Sequence, residues 1–126
     1  MKLLTKLFLI VLLFQSFQCD EDIATSITVE MLNEKKNEIK EYIASFPCDE
    51  SIGCNSIAFG SKPCGGPWEY LVFSNAVDLT FLENEVELYN EMEHQFNINT
   101  GATSDCAVVL PPTEIGCVDG VCAALD

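Results

Sequence analysis

Ile115-Gly116-Cys117-Val118-Asp119-Gly120-Val121-Cys122-Ala123-Ala124 is the stretch of this sequence that decides the most. Two short runs of β-forming residues flank Asp119-Gly120, and a two-residue hairpin turn favours that pair because its central residues take positive φ. The turn sets Val118 opposite Val121 and Cys117 opposite Cys122, so an antiparallel ribbon is expected here. Residues opposed in this way lie about 4.5–5.5 Å apart between Cα atoms, within disulfide range. A Cys117–Cys122 bond is the first pairing to expect, with a neighbouring strand or the Cys48–Cys64 region as competitors for either cysteine.

Upstream of the hairpin, Cys106-Ala107-Val108-Val109-Leu110 predicts another strand, halted by Pro111-Pro112. A turn at Asn99-Thr100-Gly101 separates it from a helix that Asp78 caps. Phe81, Leu82, Val86, Tyr89, Met92 and Phe96 form the apolar face of that helix, and a cluster of glutamates covers the rest. Tyr70-Leu71-Val72-Phe73 and Ser56-Ile57-Ala58-Phe59 are two further strands. From Ile27 to Phe46 the periodicity is helical again, with Val29, Leu32, Ile39, Ile43 and Phe46 on one face, Thr28 as N-cap and Pro47 as the stop. Lys36 interrupts the stripe and is expected to lay its stem on that face with its charge in water. These elements predict an α+β fold: two helices packed on a small, mainly antiparallel sheet, stapled by disulfides.

The N-terminus reads as an export signal. Lys2 and Lys6 flank a basic start, Leu7 to Phe14 is an unbroken apolar run, and Gln15 to Gln18 turns polar. Eight apolar residues fall well short of the ~20 that cross a bilayer. The expected organisation is a signal peptide at 1–18, Cys19 with an acidic tether over 19–26, and one domain over 27–126. Seven cysteines are present, an odd number. A modified Cys19 leaves Cys48, Cys54, Cys64, Cys106, Cys117 and Cys122 to pair as three disulfides.

The run from Phe14 through Cys19 to Asp20-Glu21-Asp22 resembles the lipoprotein signals of some Gram-negative bacteria, with Gln18 standing where that pattern has a small residue. The resemblance implies lipidation of Cys19 and a place at the cell envelope, periplasmic or surface-exposed, or else secretion. The body, through Lys62-Pro63-Cys64-Gly65-Gly66-Pro67-Trp68-Glu69-Tyr70, is similar to small cysteine-rich exported bacterial proteins of unknown function. The Cys64-to-Tyr70 spacing also resembles Kazal-type inhibitors, but the cysteines that should follow the tyrosine are absent.

Charge narrows the partners. Loss of Lys2 and Lys6 with the signal leaves four lysines against twenty acidic residues, a formal charge of −16, and there is no arginine. Nucleic acid is excluded, since binding it requires cations against phosphate. Anionic lipid is repelled as well, so a lipid on Cys19 would be the sole membrane attachment.

No catalytic set emerges, no cofactor is expected, and the chain reads as a non-enzyme. His94, the single histidine, sits among glutamates as a solvated residue. The cysteine spacings contain no C-x-x-C, and in an oxidising compartment they are structural rather than metal ligands. The candidate binding loop is Lys62 to Tyr70, where two prolines, two glycines and Cys64 surround the single Trp68; Lys62, Trp68 and Tyr70 are its candidate contacts. The competing reading has Trp68 turned inward to complete the core. The functional expectation is a lipid-anchored, non-catalytic binding module for a protein or polymer of the envelope. The alternative is an inhibitor of a secreted cationic enzyme, a lysozyme-like hydrolase or a protease. Lys62 would be the natural recognition residue for a protease, although Pro63 after it is a poor residue across a scissile bond.

Overall fold

A computed structural model describes residues 26–126. The signal peptide, Cys19 and the tether up to residue 25 lie outside the described residues.

Six elements follow in order: helix α1 (Val29–Ala44), strands β1 (Cys54–Phe59) and β2 (Glu69–Ser74), helix α2 (Leu79–Thr100), and strands β3 (Ile115–Val118) and β4 (Val121–Ala124). This is the small, disulfide-stapled α+β fold that the periodicities predict, with its strands divided into two antiparallel pairs, β1–β2 and β3–β4. Both helix caps work as expected. Thr28 accepts from the Met31 N–H at 3.3 Å, and Asp78 from the Phe81 N–H at 3.0 Å. Helix α2 runs on past the expected turn to Thr100, and Gly101 ends it at φ +64°, where its own and the next N–H turn back to the last carbonyls.

The core lies between the helices and one face of β1–β2. Leu32 and Ile39 from α1 meet Leu82, Val86 and Tyr89 from α2 and Phe59, Leu71 and Phe73 from the sheet. Phe59 stacks on Tyr89 with ring centroids 4.3 Å apart, and full burial of a side chain of that size stabilises by about 1.5–3 kcal/mol. Phe81 is exposed but packs its ring 4.8 Å from Tyr42, so the apolar stripe of α2 is wider than its buried part. Lys36 is not simply solvated: its Nζ lies 3.0 Å from Glu69 and above the Phe59 ring. Lys40 joins the same carboxylate at 3.2 Å, which ties α1 to β2. Burial alone would raise the Glu69 pKa; the two ammonium groups outweigh it and hold the carboxyl below its ordinary range.

The C-terminal hairpin forms in the predicted register, Cys117 opposite Cys122 and Val118 opposite Val121. Asp119 and Gly120 both have positive φ, 51° and 81°, as the turn requires. The disulfides differ from the first expectation. Cys117 bonds to Cys48 and Cys122 to Cys54, each pair 5.8 Å apart between Cα atoms, so the hairpin is stapled to the segment between α1 and β1 and to the first residue of β1 rather than to itself. On paired strands these side chains point to one face, and here that face lies against Cys48 and Cys54. The third bond is Cys64–Cys106.

The strand expected at Cys106–Leu110 does not form. Its first backbone groups are taken by side chains: the Ala107 N–H donates to Asp105 Oδ1 and the Ala107 carbonyl accepts from Lys62 Nζ. No neighbouring strand meets it, and Val108 and Leu110 are left 82% and 75% exposed. Three disulfides are the chemistry of an oxidising compartment. Among the described residues, no helix is long and apolar enough to cross a membrane.

Candidate functional site

The loop between β1 and β2 is held from three sides. At its entry, Gly60 N–H donates to Asn90 Oδ1 at 2.7 Å and Ser61 N–H to Glu93 Oε2 at 2.5 Å, while Asn97 Nδ2 donates back to the Ser61 carbonyl at 2.7 Å. Asn90, Glu93 and Asn97 are spaced three and four apart, so one face of α2 presents all three to the loop. Sequence reasoning missed this clamp. Its trace is the polar triplet on an otherwise apolar side of the helix. Glu93 also accepts from the Tyr89 hydroxyl at 3.2 Å, and burial together with that carboxylate pushes the phenol pKa well above its usual value.

The middle of the loop closes on itself. Gly65 N–H donates to the Lys62 carbonyl and Lys62 N–H to the Gly66 carbonyl, both at 2.9 Å. Gly65 and Gly66 take φ +100° and +83°, values that residues with a Cβ rarely adopt. Cys64 bonds to Cys106, and its N–H donates to Ser104 Oγ at 3.3 Å.

Lys62 does not present its charge to solvent. It is 5% exposed, and its Nζ donates to Asp105 Oδ1 at 2.8 Å and to the Ala107 carbonyl at 3.0 Å. The ammonium holds the Asp105 carboxyl below its ordinary pKa. Trp68 covers the lysine, with Nζ 5.2 Å from the ring centroid, a cation–π contact strengthened where the ammonium is desolvated.

Trp68 itself is 41% exposed. Its N–H donates to the Phe59 carbonyl at 3.0 Å, although Phe59 pairs in register with Glu69. Two residues thus oppose one, a bulge that re-aims the chain just where the indole emerges. The inner edge of the ring rests on Gly60, where an added Cβ would meet Trp68 Cδ1 at 2.7 Å. Tyr70 is half-buried on β2, paired with Ala58. Of the three candidate contacts, Trp68 offers a surface, Tyr70 part of one, and Lys62 is internal.

Other groups bear on the surface chemistry. All four lysines of residues 26–126 are in ion pairs: Lys35 with Glu38 and Glu85, Lys36 and Lys40 with Glu69, and Lys62 with Asp105. Glu83, Glu87 and Glu91 have no cationic partner among the described residues. They rim an open groove of about 780 Å³ between α2 and β1, together with His94. The sulfurs of Cys48, Cys54 and Cys122 lie within 4.8 Å of one another, but each is in a disulfide and offers no thiolate to a metal.

No family model matches the sequence, and neither a curated protein nor a solved structure is found to be similar to it.

Proposed function

We propose that this protein is an exported, non-catalytic binding module, tethered to the cell envelope by a lipid on Cys19, that holds a protein or polymer partner against the Trp68 loop. The observation that carries the reading is the construction around the indole. A disulfide, a buried lysine and three hydrogen bonds with side chains of α2 immobilise a loop whose large aromatic remains 41% exposed. A pre-ordered aromatic loses little conformational entropy on binding, which is why such residues anchor interfaces. The lipid rests on the signal pattern and on the pairing of the other six cysteines, which leaves Cys19 as the odd one. A diacylated cysteine is sufficient for stable anchoring where one chain is not.

Inhibition of a secreted cationic enzyme is the second reading, and the internal pairing of every lysine among the described residues favours it. The described surface offers unneutralised carboxylates and no unpaired lysine or arginine, which would steer a basic hydrolase toward it. Burial of Lys62 argues against the protease branch, because that side chain is not free to enter a specificity pocket.

The test is affinity capture from envelope extract with the immobilised protein and its Trp68→Ala variant, at low and high salt. Loss of the captured partner with the variant at both salt levels supports the Trp68 module. A basic enzyme released by salt and insensitive to Trp68→Ala favours inhibition. Mass spectrometry of the envelope-extracted protein should show acyl-modified Cys19 as the first residue, and an unmodified soluble protein starting later would remove the tether.

A further inference from the structure

We infer that the outer edge of β1 is a docking site for an extended, cationic polypeptide segment, which would add to the sheet as a third strand beside the glutamate stripe of α2. This rests on the binding-module reading and adds to it a second surface and a stated ligand chemistry.

The hydrogen-bond phase of the β1–β2 pair decides which backbone groups face outward. Asn75 N–H donates to the Gly53 carbonyl, and Trp68 N–H to the Phe59 carbonyl. In an antiparallel pair such bonds recur at every second residue. With Cys54 opposite Ser74 and each later pair in step, Asn55, Ile57 and Phe59 direct their backbone groups to β2. Cys54, Ser56 and Ala58 direct theirs away from it. Among the described residues β1 has no other strand neighbour. Two outward N–H groups are nonetheless satisfied: Ser56 N–H donates to Asn55 Oδ1 at 2.8 Å, and Gly60 N–H to Asn90. Ala58, midway between them, is given no such cover, and it lines the groove between β1 and α2.

The groove fits an added strand. Ile57, Ala58 and Val86 supply apolar lining, while Glu83, Glu87 and Glu91 lie along it at one-turn intervals on α2. Alternate residues of a strand project to one side about 6.8 Å apart, and successive helical turns are about 5.4 Å apart. Flexible lysine or arginine side chains at alternate positions can bridge that small mismatch. Strand addition gains affinity from main-chain bonds and specificity from alternate side chains, and here the specificity is for positive charge.

A second copy of this chain is the competing occupant, since its Val108–Leu110 segment is apolar, belongs to no strand and leaves Val108 and Leu110 exposed. That segment carries no lysine or arginine to meet Glu83, Glu87 and Glu91, and among the described residues every lysine of either copy is already in an ion pair.

The experiment titrates the purified, oxidised protein with an end-blocked alternating Lys–Val peptide and follows backbone amide shifts by NMR, with the Trp68 indole as an internal reference. Binding should move Ala58 and Ser56 and slow hydrogen exchange at Ala58. N-methylating the peptide at the residues that face β1 should weaken it about tenfold or more, the worth of one or two hydrogen bonds. Glu87→Gln with Glu91→Gln should weaken it and flatten its salt dependence. Ala58→Pro should abolish pairing without loss of an internal bond, and the N-methylated peptide gives the same answer without altering the protein. Equal affinity for the N-methylated peptide, shifts confined to Trp68, or a concentration-dependent dimer that excludes the peptide would each overturn the proposal. A peptide that fails here while Trp68-dependent capture persists sinks the β1 site and leaves the binding module standing.

Discussion

Lys62 Nζ lies 2.8 Å from Asp105 Oδ1, and the Cys64–Cys106 disulfide closes beside it. One ionic and one covalent cross-link thus join the same two stretches of chain, the Trp68 loop and the segment after α2. The lysine is buried while the carboxylate is 71% exposed, so water screens one end of the pair and not the other. Truncating the lysine removes packing beneath Trp68 as well as two hydrogen bonds.

Lys62→Ala should therefore lower the melting temperature by about 4–8 °C, the shift that roughly 1 kcal/mol produces in a domain of this size. It should also shift Trp68 emission, because the ring loses the cation beneath it. An unchanged melt and spectrum would show that the lysine does not hold the loop.

The pH dependence follows from Asp105. Its pKa is lowered on folding by Lys62, so its stabilisation is fully present above the ordinary value of 3.8 and is lost as pH falls through the lower folded value. Asp105→Asn should melt below the wild type at neutral pH, with the gap closing in strong acid. A gap that stays constant across a pH series of thermal melts would assign the loss to something other than the ion pair.

Gly60 and Gly65 separate two reasons for a glycine. Both have positive φ, +89° and +100°, but an added Cβ meets Trp68 at Gly60 and nothing within 4 Å at Gly65. Replacing either with alanine should destabilise by about 1 kcal/mol for the backbone alone. Gly60→Ala should cost more and raise the accessibility of Trp68 to aqueous quenchers. Equal losses in denaturant melts would mean that the indole yields freely.

Phe59 and Trp68 should part sharply on truncation. Phe59 is 1% exposed and stacked in the core, so Phe59→Ala should cost about 3–5 kcal/mol. Trp68→Ala should cost about 1–2 kcal/mol, since only the inner part of the indole is buried. A loss at Trp68 as large as that at Phe59, measured by chemical denaturation, would make the residue core architecture rather than a binding anchor.

Disulfide chemistry gives a further test. The Cys48, Cys54 and Cys122 sulfurs lie within 4.8 Å of one another, and Cys117 faces Cys122 across the hairpin. A thiolate released from either hairpin bond can attack the other. Limited reduction followed by acid quenching should yield a Cys117–Cys122 isomer by peptide mapping, with Cys64–Cys106 outside the exchange. Without reductant, alkylation should label none of the six. Exchange that reaches Cys64 or Cys106 would contradict this grouping.

Local interactions made much of this protein legible in its sequence. Thr28 and Asp78 cap helices because the N–H they accept is three residues away. Asp119-Gly120 turns the hairpin because φ at those two positions is enough to define the register. The apolar periodicities placed Leu32, Ile39, Leu82, Val86 and Tyr89 in the core. Tertiary structure alone decided the rest. Cysteines at sequence separations of 69, 68 and 42 pair according to which distant segments meet. Cys117 and Cys122 face each other in register, yet both side chains point into a surface where Cys48 and Cys54 wait. Lys62 read as an exposed contact because charge favours water, and it is buried because Asp105 and the Ala107 carbonyl satisfy it there. No partner strand reaches Cys106–Leu110, and β-propensity describes what a residue does beside one; the Ala107 N–H goes instead to nearby Asp105 and its carbonyl to distant Lys62.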